Sequence, residues 1–207
     1  MANFKETFLN PILKGNPITV LVLGICSSLA VTVELKGALV MALSVTIVTG
    51  LSSLICSLLR NTIPSRVRII VQLVVVAMMV ILVDQLLKAF EATYAIDKQL
   101  SVYIGLIITN CIVMGRIEAF ALGNKPLPSL IDGLGNGVGY GAILIAVAFV
   151  RELLGSGTLF GFQVIPDFCY AAGYANNGLV ILPPFALILI GSIIWIHRSF
   201  DKDLQEK

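Results

Sequence analysis

Charge is scarce in this chain: 13% of its residues are Asp, Glu, Lys or Arg, whereas a soluble domain has about 25%. Apolar residues make up 57% of the chain, and its mean hydropathy is +0.97. This composition is that of an integral membrane protein, and 207 residues suffice for six spans of about 20 residues with short loops. No soluble domain fits in the remainder, and a net charge of +2 is too small to predict nucleic-acid binding.

Other signals are absent as well. We expect no cleavable signal peptide, because the polar N-terminus leads into an apolar run without a small-residue cleavage site. Three of the four cysteines lie in apolar segments, which argues against a secreted disulfide framework. The alternating glycines from Gly133 to Gly141 have no strand before them and no Gly-Lys-Ser/Thr after them, so they are not a phosphate loop. Gly137 and Gly141 instead have the GxxxG spacing of closely packed membrane helices.

Six apolar segments predict six membrane spans: Ile18–Val33, Ala38–Leu59, Val67–Phe90, Leu100–Arg116, Leu130–Leu154 and Leu179–His197. The first and fourth are short for about 30 Å of hydrocarbon. Both are interrupted, the first by Gly24 and two serines and the fourth by Thr109 and Asn110. Each half of the chain, 1–91 and 92–207, therefore has a broken segment followed by two longer spans. Since three spans per half invert the second half, the predicted fold is one all-α membrane domain of two inverted three-helix repeats.

Basic residues predict the orientation of this domain. If the N-terminus is cytoplasmic, the cytoplasmic side has ten basic residues: Lys5, Lys14, Arg60, Arg66, Arg68, Arg116, Lys125, Arg198, Lys202 and Lys207. The other side has four: Lys36, Lys88, Lys98 and Arg151. Because Lys and Arg accumulate in cytoplasmic loops, both termini are predicted to be cytoplasmic.

Cys26 and Cys111 lie in the two broken segments, at equivalent places in the two halves. Thiolates are soft ligands that suit iron–sulfur clusters, Cu(I) or zinc, and two of them are half of a four-thiolate set. A metal site would therefore require a partner chain or a second copy. Helix N-termini at the breaks would offset the negative charge of such a centre in the membrane. The alternative is that both are small buried apolar residues, which is our interpretation of Cys56 and Cys169.

Ionisable residues occur in or beside several spans. Asp84 and Asp132 are acids near opposite faces of the membrane, which makes them candidates for a cation path. A helix-capping role is at least as good an interpretation of Asp132. Two further acid–base neighbours are interpreted as interfacial pairs or snorkelling side chains: Arg116 with Glu118, and Arg151 with Glu152.

Several stretches together resemble a known family, the membrane D subunits of sodium-pumping NADH:quinone oxidoreductases. The stretches are Leu23–Thr32, Arg66–Gln72, Val83–Leu87, Ile108–Arg116, Asp132–Gly137 and Arg151–Gly161. The Thr-Asn-Cys motif also occurs in the E subunits and in the Rnf-complex counterparts. The two serines after Cys26 favour the D subunit over its Rnf relative. Ile117 departs from the family, which often has alanine there, and affects no expected ligand.

The resemblance implies a bacterial inner-membrane subunit of a six-subunit complex, paired with a similar E-type subunit inserted in the opposite orientation. It implies that Cys26 and Cys111 supply half the ligands of a [2Fe-2S] cluster, while FMN, FAD and riboflavin lie on other subunits. The implied function is a sodium pump driven by electrons that cross the membrane between flavins, with NADH and quinone bound elsewhere. The alternatives are the equivalent subunit of an Rnf ferredoxin:NAD oxidoreductase, and an inverted-repeat transporter without redox chemistry.

Overall fold

The structure, a computed structural model, describes residues 7–9, 11, 15–64, 66–94, 99–159, 162–163 and 178–200. The helices of this part are α1 Ile25–Val31, α2 Leu35–Leu59, α3 Arg68–Tyr94, α4 Gln99–Ile108, α5 Cys111–Arg116, α6 Pro126–Gly155, α7 Gly178–Ile181 and α8 Pro183–Phe200. A π-helical turn, Ile117–Ala121, continues α5. The strands β1 Thr158–Leu159 and β2 Phe162–Gln163 form a small antiparallel pair after α6. The all-α prediction is therefore confirmed in outline.

Five helical stretches of the described residues are long and apolar enough to cross a membrane: Leu35–Leu59, Arg68–Ala89, Tyr103–Ala121, Pro126–Gly155 and Pro183–Phe200. They correspond to the second to sixth predicted spans. Large apolar side chains such as Leu43, Ile81 and Ile188 are more than half exposed, as a lipid-facing surface requires. The chain is thus a multi-pass membrane protein.

The first predicted span, Ile18–Val33, is wrong as a continuous helix, because its first half is a turn. The Asn16 side chain accepts the N–H groups of the residues two and three positions later, at 3.0 and 3.4 Å. Val22 and Gly24 then both have left-handed backbones, with φ of 56° and 80°. The helix begins only at Ile25, and α1, with seven residues, is about 10 Å long, too short to cross the hydrocarbon.

Glycines determine how closely the two central helices, α2 and α6, approach each other. A Cβ added at each of three α6 glycines would press on a residue of α2: Gly133 on Gly50, Gly137 on Thr46, and Gly141 on Ala42. At Gly137 the added atom would lie 2.5 Å from the Thr46 Cα, where no side chain fits. Because the α2 numbers fall as the α6 numbers rise, the helices are antiparallel. The predicted GxxxG packing is confirmed.

The intervening glycines of α6 contact a different segment. Residues two apart on an α-helix point in nearly opposite directions. An added Cβ at Gly135 would lie 2.9 Å from the Phe8 carbonyl oxygen, and one at Gly139 would lie 2.8 Å from that of Pro11. The alternating glycines therefore let α6 pack closely against α2 on one face and against the segment that includes Phe8 and Pro11 on the other. The GxxxG spacing predicted only the first of these two contacts.

We predict that Gly137→Ala destabilises the protein, because its methyl group must push the backbones of α2 and α6 apart. Overpacking of this kind costs about 1–3 kcal/mol. The measurement is the thermal midpoint of the purified assembly, together with its amount in the membrane. Gly191→Ala is the matched control, since an added Cβ there meets nothing within 4 Å. Equal midpoints for the two variants would contradict this packing.

Candidate metal centre

Cys26 lies in the first turn of α1, directly after the break in the first segment. The break occurs at Gly24, whose φ of 80° is a left-handed conformation that side-chain-bearing residues rarely adopt. A side chain at Gly24 is also excluded by space, since its Cβ would collide with the Ile112 Cδ1 atom. The backbone at Gly24 thus packs directly against α5, and this contact brings the first broken segment to the second.

Cys111 is the first residue of α5, directly after the break in the fourth segment. The break is set by Asn110, an extended residue at the N-cap position whose side chain accepts the backbone N–H of Ile112 at 3.2 Å. Asparagine is among the best helix N-caps because its short side chain satisfies an otherwise unpaired donor. The Thr-Asn-Cys sequence therefore begins a new helix at the cysteine.

The structure brings the two cysteines together. The backbone N–H of Gly24 donates to the Sγ atom of Cys111 at 3.2 Å, and the side chains of Cys26 and Cys111 interact with each other. Cys26 is exposed and Cys111 is partly exposed, so both residues reach the protein surface. Among the residues that the structure describes, no group of three or more His, Cys, Asp or Glu side chains could surround a metal ion. At this place the described part of the chain therefore has two neighbouring sulfur atoms, those of Cys26 and Cys111.

The other two cysteines differ from this pair. Cys56 is fully buried in the apolar core on α2, in agreement with its interpretation as a packing residue. Cys169 lies outside the described residues.

A buried polar network links the residues that precede or follow the two cysteines. Ser27, beside Cys26, lies 2.8 Å from the hydroxyl of Tyr140 on α6. Asn110, beside Cys111, donates from its side-chain amide to the Ser27 hydroxyl at 3.3 Å. The sequence did not predict these roles of Ser27 and Tyr140. The available signal for Ser27 was its hydroxyl directly beside a candidate ligand, and Tyr140 is not a neighbour of either cysteine in sequence.

Arg151 and Glu152 do not form the interfacial pair that we predicted. Arg151 is 1% exposed and donates to the Thr32 hydroxyl and to the carbonyls of three residues: Leu29, Val180 and Ile181. The carboxylate of Glu152 accepts the backbone N–H of Leu35, the first residue of α2, at 2.6 Å. These two side chains satisfy backbone groups at helix ends, where unpaired groups inside a membrane would be costly.

Arg116 and Glu118 also have partners other than each other. Arg116 donates from its Nε and Nη2 atoms to both carboxylate oxygens of Asp132, the Nε bond being 3.0 Å long. Glu118 pairs with Arg68 and accepts the side-chain amide of Gln72 at 2.8 Å. Residues two apart on a helix point in nearly opposite directions, so Arg116 binds α6 while Glu118 binds α3.

The two acids proposed for a cation path lie in separate ion pairs. Asp132 is 4% exposed and lies inside α6, which begins at Pro126, so its interpretation as a helix cap is wrong. Its carboxylate is occupied by Arg116. Asp84 accepts a 2.6 Å bond from Lys88, one turn further along α3. Their involvement in cation movement stays a prediction.

The fold and the site define a class: a multi-pass helical membrane protein in which two short helices have neighbouring cysteines, Cys26 and Cys111, in their first turns. Comparison with known proteins identifies the family. Residues 4–194 match the family model described as "Rnf-Nqr subunit, membrane protein", and the chain belongs to this Rnf-Nqr family.

Several bacterial proteins of one kind resemble the chain from end to end. The D subunit of the Na(+)-translocating NADH-quinone reductase of Haemophilus influenzae is 55% identical over 205 residues, which are 99% of this chain and 98% of that protein. The corresponding protein of Pseudomonas aeruginosa is 54% identical over 98% of this chain and 89% of its own length. That of Shewanella sp. strain ANA-3 is 55% identical over 98% and 95%. The resemblance found in the sequence motifs is confirmed.

Proposed function

We propose that this chain is a membrane subunit of a redox-driven sodium pump and that Cys26 and Cys111 supply half the ligands of an intramembrane [2Fe-2S] cluster. The observation that carries the proposal is the meeting of these two thiols, each at the start of a broken helix and both at the protein surface. The names of the relatives favour the NADH-quinone reductase over the Rnf alternative.

The residues present fit one half of such a centre. Iron in these clusters is bound by thiolates, which carry negative charge and accept hydrogen bonds. The Gly24 N–H already donates to the Cys111 sulfur, and a bond of this kind stabilises the charge of a thiolate ligand. The first N–H groups of α1 and α5 are not used within those helices and add partial positive charge beside the sulfurs. When bound, the cluster supplies a one-electron relay.

The remaining two ligands come, in this proposal, from a similar E-type subunit inserted in the opposite orientation. Cys26 is exposed, and so are Leu21 and Val22 a few residues before it, at 44% and 45%. A thiolate facing lipid would be costly, so a partner chain must cover it. The contribution of this chain is to hold two sulfurs at fixed positions, to donate to one of them, and to exclude water from the residues behind them. NADH, quinone and the flavins are bound by other subunits.

We predict that Cys26→Ser or Cys111→Ser removes iron and quinone reduction together, because each variant takes one of four sulfur ligands from the shared site. Transfer from NADH to the first flavin survives, since it occurs upstream on another subunit. The measurements are iron per complex and the low-temperature EPR signal of the reduced enzyme. Cys56→Ser and Cys169→Ser are the controls and keep both. Full iron content in either ligand variant would refute the assignment, and absence of iron and acid-labile sulfide from the wild type would favour a transporter without redox chemistry.

The proposal includes two inverted three-span repeats in one domain of the bacterial inner membrane, with both termini in the cytoplasm. Contacts at the helix ends support the grouping of the charges. Arg60 donates to the Asn124 carbonyl at 2.8 Å and Arg68 pairs with Glu118, so these basic residues lie at one end of the helices. Arg151 lies at the other end of the helices, because its neighbour Glu152 accepts the N–H of Leu35, the first residue of α2.

Topology reporters fused after Gly15 and at Lys207 test this orientation. Both fusions are expected to report a cytoplasmic location, because the excess of Lys and Arg lies on the side of the N-terminus. A fusion at Lys98, predicted from the sequence to lie on the other side, is the matched control and is expected to report a periplasmic location. A periplasmic signal at one terminus alone would leave an odd number of crossings and would refute the two inverted repeats.

For the cation path, we predict that Asp84→Asn and Asp132→Asn raise the sodium concentration needed for half-maximal turnover while iron content stays intact. Asp132→Asn alone also leaves the Arg116 guanidinium unpaired, a defect that costs about 3–5 kcal/mol at a buried site. The double variant Arg116→Gln/Asp132→Asn removes that defect and isolates the cation effect. A raised sodium requirement in both Asp132 variants supports the path. A return to the wild-type value in the double variant would reduce Asp132 to an ion-pair partner.

A further inference from the structure

We infer that Ser27, Asn110 and Tyr140 form a buried bracket that fixes Cys26 and Cys111 relative to each other, and that Tyr140 is its positioning residue. The two broken segments are far apart in sequence, and the bracket joins each of them to α6. The inference rests on the proposed function only where it names a metal cluster as the group that the two sulfurs bind. The geometry of the bracket itself does not depend on that function.

The Ser27 hydroxyl is the centre of the bracket. It donates to the Gly24 carbonyl at 3.0 Å, which uses its one proton. Its two lone pairs are then left for the Asn110 amide at 3.3 Å and the Tyr140 hydroxyl at 2.8 Å. A hydroxyl has one donor and two acceptor sites, so all three are filled and Tyr140 is the donor in its bond to Ser27.

Two members of the bracket are sequence neighbours of the two cysteines. Ser27 follows Cys26 on α1, and Asn110 precedes Cys111 while also capping α5. A hydrogen bond between Ser27 and Asn110 therefore sets the distance between the starts of the two half-helices. The bond from Gly24 to the Cys111 sulfur sets the same distance at a second point.

Burial makes these bonds effective. Ser27 is 2% exposed, and Asn110 and Tyr140 are fully buried, so water does not compete for their polar atoms. Displacement of one half-helix would leave a buried donor or acceptor unpaired, which costs about 1–3 kcal/mol. The bracket therefore resists the movement that would separate the two sulfurs.

Tyr140 connects the bracket to the closely packed centre of the molecule. It lies on α6 between Gly139 and Gly141, which pack against the N-terminal segment and α2 respectively. Its ring also lies against the Gly24 backbone, where an added Cβ would come within 3.2 Å of the Cε2 atom. Tyr140 acts on the sulfurs through Ser27 and Asn110. The variant Tyr140→Phe removes the hydrogen bond to Ser27 and keeps the aromatic ring.

The first test measures how readily the two thiols can be cross-linked, and it does not require a bound cluster. The intact complex is prepared with Cys56→Ser and Cys169→Ser, so that Cys26 and Cys111 are the two thiols that remain in this chain. Iron is removed with a chelator under reducing conditions, and the rate of cross-linking by a short bis-maleimide is followed by mass spectrometry of the linked peptides. We expect Tyr140→Phe and Ser27→Ala to slow this intrachain cross-link several-fold, because mobile thiols have a lower effective concentration.

Two matched controls separate this effect from general loss of structure. Tyr103→Phe removes a hydroxyl from a partly buried tyrosine of α4, and Ser53→Ala removes a buried hydroxyl that has no hydrogen-bond partner among the described residues. Both are expected to cross-link at the wild-type rate. Assembly is checked by the amount of complex in the membrane, and Ser27→Ala decides the question if Tyr140→Phe does not assemble. Wild-type rates for the assembled bracket variants would overturn the inference.

The second test examines the loaded complex. Tyr140→Phe is expected to keep its iron while the EPR signal of the reduced enzyme broadens and shifts in g value, because the two sulfurs no longer have one arrangement. Tyr103→Phe is expected to give the wild-type spectrum. An unchanged spectrum in Tyr140→Phe would overturn the positioning role. If the wild-type complex had no iron–sulfur signal, the proposed function would fail, and the cross-linking rates would still decide whether the bracket exists.

Discussion

The close approach of α2 and α6 is the constraint on which the rest of the structure depends. Glycines in α6 allow the two backbones to touch, so α6 has one defined position rather than a range of positions. From that position its side chains reach several broken elements of the described part of the fold. Tyr140 bonds to Ser27 at the start of α1 and, through Ser27, is linked to Asn110 at the start of α5. Asp132 binds Arg116 at the end of α5, and Arg151 and Glu152 bind helix ends at the opposite side of the domain.

Irregular backbone inside a membrane is tolerated only where its polar groups have partners within the protein. Each break in the described part of this chain has such a partner. Asn16 satisfies the N–H groups of the turn that precedes α1, Asn110 caps α5, and Glu152 accepts the first N–H of α2. Arg151 donates to carbonyls at the ends of α1 and α7. The cost of placing two helix starts at the cysteines is therefore offset by side chains from other segments.

The sequence could predict which segments break, because the breaking residues are local. Gly24 and the Thr109-Asn110 pair interrupt apolar runs, and both helices begin where those residues end. It could not predict the partners of the charged residues, since hydropathy says which segment is in the membrane and not which atoms meet there. Arg116 and Glu118 are neighbours in sequence, yet their partners lie on α6 and α3. The first span was predicted as a helix for the same reason: its apolar composition does not report the turn fixed by Asn16.

The position of Arg151 also suits the direction of α1. The guanidinium is buried and bonds to the Leu29 carbonyl and the Thr32 hydroxyl, both at the C-terminal end of α1. A cation at that end stabilises the negative pole of the helix dipole, and the positive pole then lies at the other end, where Cys26 is. A helix of the opposite direction would place its positive pole beside the buried arginine and its unpaired carbonyls beside the sulfurs. Arg151 therefore matches the polarity of α1 from the end opposite to Cys26, without contacting either cysteine.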